Sequence, residues 1–425
     1  MPTLSPKPRA TERAARRPGW SWCRTLSLCL SLLSAPLLQA HELGLKALPE
    51  QTGLRLGAAL ALSQARADTA WPMAKLPGIL GNGETPVDRR DGALEHATVD
   101  AGLRLGEHVG ALLALGWHDS DPVHVEAAWL QAEARRGDEQ WLLGAGRNRL
   151  PQGRLIDGGG HFDRFASQPL AKRAVLGGDW IDDGISLRWQ RSHEGRWAAL
   201  ETVDLGLWRA RRFPGGSQGP AAAAAHARLA WGDVALDASA ALLRPRGRGA
   251  YVQSSTAAHT HERPDCSGNL LGIHCFDGRS QVFSASLSWL LPTEADLRLE
   301  AAGLLRRDRG QLYSINGDTD YQGSTGGGWL DLIWQIRPST GLALRAETLR
   351  GVQTLESVNA LAVARDAGLL GNSRIWRAAA SLSHEPWPGL RLSLEAGRET
   401  LGSQHNNFSL LRLVWTPDAL WSRSW

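Results

Sequence analysis

The sequence predicts an all-β chain, a transmembrane antiparallel β-barrel of about sixteen strands following an export leader. Three observations predict it. Apolar and polar residues alternate at period two through most of the chain after residue 40, no apolar run of 18 or more residues occurs there, and short polar turns alternate with long connecting segments.

The leader comes first. Residues 1–40 carry Lys7, Arg9, Arg13, Arg16, Arg17 and Arg24 against one acid, Glu12. The uncharged run from Thr25 to Leu38 is broken at Pro36 and is shorter than the ~20 residues of a spanning helix. It ends in Leu38-Gln39-Ala40, the pattern of a secretory signal cleaved after Ala40. Residues 41–425 then form one domain. Of 47 Lys and Arg and 43 Asp and Glu in the whole chain, 41 and 42 remain after the leader, a net charge of −1. The basic pI therefore belongs to the leader, and nothing points to nucleic acid as a partner.

The strands follow from alternation. Leu54 to Leu62 places apolar residues on even positions and Arg, Gly or Ala on odd ones, and Val99–Leu105, Val234–Ala240, Ala295–Ala301 and Leu390–Ala396 each put charge on one face only. The turns Glu107-His108, Gly232-Asp233, Pro292–Glu294, Pro338–Thr340 and Glu385–Pro388 are short. The segments Gln64–Leu94, Asn148–Asp179, Arg244–Arg279, Arg306–Gly326 and Gly351–Asn372 are long. Short periplasmic turns with long external loops are the habit of outer-membrane barrels, whose strands need ~9–11 residues to cross. Trp117, Trp189, Trp231, Trp289, Trp334 and Trp415 fall near strand ends on the apolar phase, where an indole suits the headgroup level. The final Trp425 fits a last strand read by the outer-membrane assembly machinery.

If the apolar phase faces lipid, the other phase lists the inner wall. It holds Arg55, Arg104, Arg135, Arg147, Arg188, Arg228, Arg298, Arg337, Arg345, Arg377, Arg391 and Arg412 against Asp100, Glu133, Asp237, Asp296, Glu300, Asp331, Glu347 and Glu395. Such a wall lines water or forms cross-strand pairs, because unpaired charges cannot be buried dry. Both readings stay open at this point.

The segment from Asn148 to Asp179 is the candidate constriction. It carries Gly158-Gly159-Gly160, Phe162 and Phe165, and the charges Arg154, Asp157, Asp163, Arg164, Lys172 and Arg173. A loop of this length in a compact domain is usually functional. Folded inward, it would set its charges beside a permeating solute; folded outward, it would lie over the mouth.

Around this segment the chain resembles a family. Gly144-Ala145-Gly146-Arg147 through Pro151-Gln152-Gly153 is similar to the strand end of phosphate-selective-type, porin O/P-like porins. His161, Phe165, Gln168-Pro169-Leu170, Arg173-Ala174, Leu176-Gly177-Gly178, Asp182-Asp183-Gly184, Leu187, Trp189, Leu205-Gly206, Trp208-Arg209 and Phe213-Pro214-Gly215 resemble porin-like proteins sometimes labelled zinc-regulated outer-membrane receptors. The likeness covers about 70 residues and implies an outer-membrane barrel with a link to metal supply. Gly159, Arg164 and Ser167 stand where the family pattern has a second His and two acids, which removes donors from a metal site there. A TonB-dependent receptor also needs a plug domain, and only about a dozen residues separate Ala40 from the first strand.

Cys266 and Cys275 are the only cysteines after residue 40 and lie near His259, His261 and His274. In an oxidising compartment a disulfide is expected, with a zinc site as the alternative. His96, His118, His193 and His384 read as scattered singly, and no Gly-x-Ser-x-Gly nucleophile motif accompanies them, so no enzyme is expected. The sequence thus predicts a passive channel for small hydrophilic solutes with a mild anion preference, needing no cofactor. The alternative is a metal-linked uptake or binding barrel. Outer-membrane lipid is the expected surroundings, and a homotrimer is an assembly common among such barrels.

Overall fold

The computed structural model describes residues 48–68, 76–81, 92–118, 122–191, 197–252, 264–371 and 373–425. The leader and His193, His259 and His261 lie outside the described residues.

The strands are β1 (Gly53–Ala67), β2 (Gly92–Leu105), β3 (Val109–Trp117), β4 (His124–Arg136), β5 (Glu139–Arg149) and β6 (Ile181–Arg191). There follow β7 (Ala199–Trp208), β8 (Ala222–Trp231), β9 (Val234–Leu243), β10 (Arg248–Tyr251), β11 (Ile273–Leu290) and β12 (Asp296–Ser314). The chain ends with β13 (Gly317–Arg337), β14 (Thr340–Glu356), β15 (Ser373–Trp387), β16 (Leu390–Leu401), β17 (Gln404–Trp415) and β18 (Trp421–Ser424). Every pairing is antiparallel, and strands pair with their neighbours in sequence except at β9 with β11 and where the sheet closes: β1 pairs with β2 on one edge and with β17 and β18 on the other. The 18 strands occupy sixteen lanes, because β9 and β10 share one beside β11, and β17 and β18 share one beside β1. Closure satisfies the ladder all the way round, which is what a sheet surrounded by lipid requires.

The burial pattern is inside out. Leu130, Leu143, Ile185, Leu205, Leu207, Leu242, Leu394 and Leu411 are exposed, while Glu347, Arg377, Glu395, Glu399 and Arg412 are buried. A water-soluble sandwich would invert this. Trp141, Trp289, Trp334, Trp376 and Trp387 are exposed on the outer surface. Trp129, Trp180, Trp208 and Trp329 are instead buried inside, where Trp129 and Trp208 stack at 6.0 Å.

Gly137 (φ 63°) and Gly232 (φ 53°) supply the left-handed backbone of tight hairpins at one end, while the β12–β13 and β16–β17 hairpins turn as tightly at the other. Both β1 and β18 have their terminal ends on the Gly137 and Gly232 side. Two of the expected loops are corrected. Arg306–Gly326 is not a loop but the continuous β12–β13 hairpin, turning at Ile315 and Asn316; its charge run looked like a loop because Arg306 and Asp308 point inward while Arg307 and Arg309 point out. The segment Arg244–Arg279 likewise contains β10 and the start of β11.

Candidate functional site

Residues 150–180 join β5 to β6 and run through the barrel interior. The local sequence explains the path. Pro151 ends β5, and Gly153 (φ 109°) turns the chain into the short helix α1 (Arg154–Gly158). Pro169 starts the helix α2 (Leu170–Leu176), and Gly177 closes it in the left-handed conformation. α2 is buried almost all round, through Leu170, Ala171, Lys172, Ala174, Val175 and Leu176. On one side the loop packs with Trp129, Trp208, Val282 and Trp329, and on the other with Ile333, Leu349, Ile375 and Phe408.

A buried irregular backbone needs partners for its carbonyls and amides, and the wall supplies them. Arg391 Nη2 donates to the carbonyls of Phe162 and Asp163, both at 2.6 Å. Arg412 Nη1 donates to the Asp163 carbonyl at 2.6 Å, and Arg306 Nη1 to those of Ala174 and Val175 at 2.8 and 3.0 Å. Arg377 Nη2 donates to Gln168 O at 2.9 Å. Conversely, the Ala166 N–H donates to Glu395 at 2.8 Å and the Leu170 N–H to Glu347 at 2.7 Å. Most wall arginines also hold an acid: Arg55–Asp100 at 2.8 Å, Arg104–Glu133 at 3.1 Å, Arg188–Asp204 at 2.5 Å, Arg228–Asp237 at 2.9 Å, Arg345–Asp331 at 2.6 Å and Arg377–Glu347 at 2.6 Å. Arg298 is looser, 3.6 Å from Glu300.

The expected constriction charges divide into two groups. Arg154 is exposed, and Arg164, 3.7 Å from Glu300, and Arg173 are partly exposed. Asp163 is spoken for by Arg345 at 3.3 Å. Lys172 is corrected: it belongs to the loop's own core, whereas Asp157 is partly exposed and accepts from the Gln152 N–H at 3.2 and 3.3 Å. Lys172 Nζ is 2.5 Å from Asp179 and donates to Gly159 O at 2.7 Å. Burial pulls the Lys172 ammonium below its ordinary pKa against the pull of Asp179. Burial pushes the Asp157 carboxyl up to about 6, although Arg149, Lys172 and the Gln152 N–H all oppose the rise. Asp179 shows the opposite balance: burial would raise it, but Arg149 and Lys172 together hold it below the usual carboxylate range.

Arg147 is a second correction. It follows exposed Leu143 and Ala145 on the outward phase and bridges Asp183 at 2.9 and 3.2 Å, with Arg209 at 3.5 Å. Gly144-Ala145-Gly146 gives the alternation no apolar marker, so the phase was unreadable there. Cys266 and Cys275 are joined as a disulfide with Cα atoms 6.0 Å apart, so neither offers a thiolate to a metal. His96 and His118, read as single residues, are brought beside His161 of the loop. Sequence spacing could not reveal that meeting, because it depends on the loop folding inward.

No protein-family model matches the chain, and none of the curated proteins does. Solved structures do. A loop-deletion form of OmpT, an outer membrane protein of Vibrio cholerae, is 11% identical at a TM-score of 0.54, covering 87% of this chain and 100% of that one. OmpF of Salmonella typhi, in complex with daunomycin, is 10% identical at 0.51, covering 86% and 98%. The fold is that of porin-like outer-membrane barrels. The outer membrane channel DcaP of Acinetobacter baumannii agrees, 10% identical at a TM-score of 0.50 and covering 88% and 99%. Residues 150–180 lie inside this barrel, held by Arg306, Arg345, Arg377, Arg391 and Arg412 of the wall.

Proposed function

We propose that this porin-like barrel resides in the bacterial outer membrane, exported on the 1–40 leader, and lets small hydrophilic solutes diffuse passively with a mild anion preference. The carrying observation is a set of cations exposed on the inner phase of the strands and along the inserted loop. Arg135 and Arg188 have side chains 69% and 40% exposed on the inner phase of β4 and β6, and Arg154, Arg164 and Arg173 lie along the loop. An excess of cations beside a confined aqueous path favours anions and weakens as salt rises.

Membership of the porin O/P-like family, assembly through the C-terminal strand and a homotrimeric state are parts of the same reading. The metal-linked alternative built on the Cys266–Cys275 loop loses its two strongest donors to the disulfide. No enzymatic role is proposed. Liposome swelling tests the channel: vesicles containing the protein swell in small sugars at rates that fall with solute size, and equal rates with and without protein reject it.

A further inference from the structure

The geometry points to a binding site for a divalent transition-metal ion, of the zinc class, formed by His96, His118 and His161 where the inserted loop meets the wall of β2 to β4. One ring nitrogen from each of the three lies within 4.8 Å of the other two. The His96 ring stacks on His161 at 4.9 Å and meets His118 at 4.5 Å between centroids. Tetrahedral nitrogen ligands at ~2.0–2.1 Å from zinc stand about 3.3 Å apart. Rotation of the rings covers the difference.

Oxygen neighbours orient two of the three rings. His96 Nε2 is 2.8 Å from Glu126 Oε1, and a carboxylate can only accept, so Nε2 carries the proton and Nδ1 keeps its lone pair. His118 Nδ1 is 2.8 Å from the Glu95 carbonyl, so it carries the proton there. An oxygen fixing the far nitrogen of a ligating imidazole is the usual outer shell of a metal site. Thr98 Oγ1 in turn donates to Glu126 at 3.2 Å.

The backbone is shaped for this cluster in two places. In β2, Ala61 faces His96 and Leu62 faces Leu94, so Glu95 is the extra residue of a bulge. In β4, Ala114 faces Ala127 and Leu115 faces Val125, so Glu126 is the extra residue of another. Bulges re-aim side chains, and here they bring Glu95, His96 and Glu126 to the same inner corner. Gly116 leaves the room: a Cβ there would stand 2.5 Å from Glu126 Oε1 and 2.9 Å from His96 Cε1. Three imidazole ligands suit zinc, copper, nickel or cobalt over magnesium or calcium. His124, with Nε2 3.9 Å from Glu126, stands beside the cluster. Metal there would fasten the loop to the wall, since His161 is on the loop, His96 is on β2 and His118 directly follows β3.

The site does not rest on the channel reading and can fail while that reading stands. The test is zinc binding to the purified detergent-folded chain, each variant first checked for heat-modifiable gel mobility. The wild type should retain about one zinc per chain after desalting. His118→Ala and His161→Ala should each weaken binding more than about 100-fold, Glu126→Gln about 10–100-fold, and exposed His405→Ala not at all. X-ray absorption of the wild-type zinc complex, which needs no variant, should show imidazole ligands and no sulfur. Absence of stoichiometric zinc in the wild type, or unchanged affinity in both alanine variants, overturns the site.

Discussion

Arg345 on β14 and Asp331 on β13 form a two-bond pair, Nε to Oδ1 at 2.7 Å and Nη2 to Oδ2 at 2.6 Å, and the same guanidinium reaches Asp163 of the inserted loop at 3.3 Å. The guanidinium also lies over the Phe165 ring at 4.2 Å. One side chain thus joins two strands to the loop. Removing it leaves two carboxylates buried without their shared cation, a change that costs about 3–5 kcal/mol. Arg345→Ala should lower the urea midpoint of the barrel and raise proteolysis within 150–180, while Arg345→Lys should recover only part, since an ammonium cannot make the forked pair. Equal midpoints for wild type and Arg345→Ala would show that the loop is held elsewhere.

Selectivity should follow exposure and not the formal count of loop charges. Replacing Arg154, Arg164 and Arg173 together by Ala should move the reversal potential in a salt gradient toward cations without abolishing conductance. Lys172→Ala should leave the reversal potential unchanged and loosen the loop, because Lys172 is buried against Asp179. The opposite pattern would place Lys172 on the path.

Asp157 gives the loop a pH dependence whose sign is fixed. Its carboxyl is raised to about 6 from an unfolded value near ~3.9, so its contribution is full below about pH 4 and is lost as pH rises through about 6. Asp163 and Asp179, held below the usual range, act the other way and at lower pH. Between pH 4.5 and 7.5, hydrogen exchange in 150–180 should therefore speed up more in the wild type than in Asp157→Asn, by up to about 2 kcal/mol in opening free energy. An identical pH trend in both would remove Asp157 as the cause.

The Cys266–Cys275 bond closes a short external segment, worth about 2–3 kcal/mol locally in the loop-entropy account. Alkylation of protein isolated without reductant should add no label at either cysteine. Two labels per chain would contradict it.

The barrel was legible because its signal is repeated in nearly every strand: Leu54 to Leu62 alone shows which face meets lipid, and the turns show which end is which. Phase failed where small residues interrupted it, as at Gly144 to Gly146, and length failed where charged strands ran past the membrane, as at Arg306 to Arg309. The loop's charges were legible as a set but not as individuals. Whether Lys172 faces solute or Asp179 depends on how α2 docks, and that is decided by wall residues more than a hundred positions away. The His96, His118 and His161 meeting needed both the bulges and the inward loop, neither of which has a sequence mark.

The central claim is that an aqueous path runs past the inserted loop, and single-channel recording in a planar bilayer tests it most directly. The heat-modifiable, purified protein should give discrete ohmic current steps, with a reversal potential shifted toward anions at low salt and less so as salt increases. Folded protein that inserts into the bilayer yet passes no current above the lipid baseline would contradict the account.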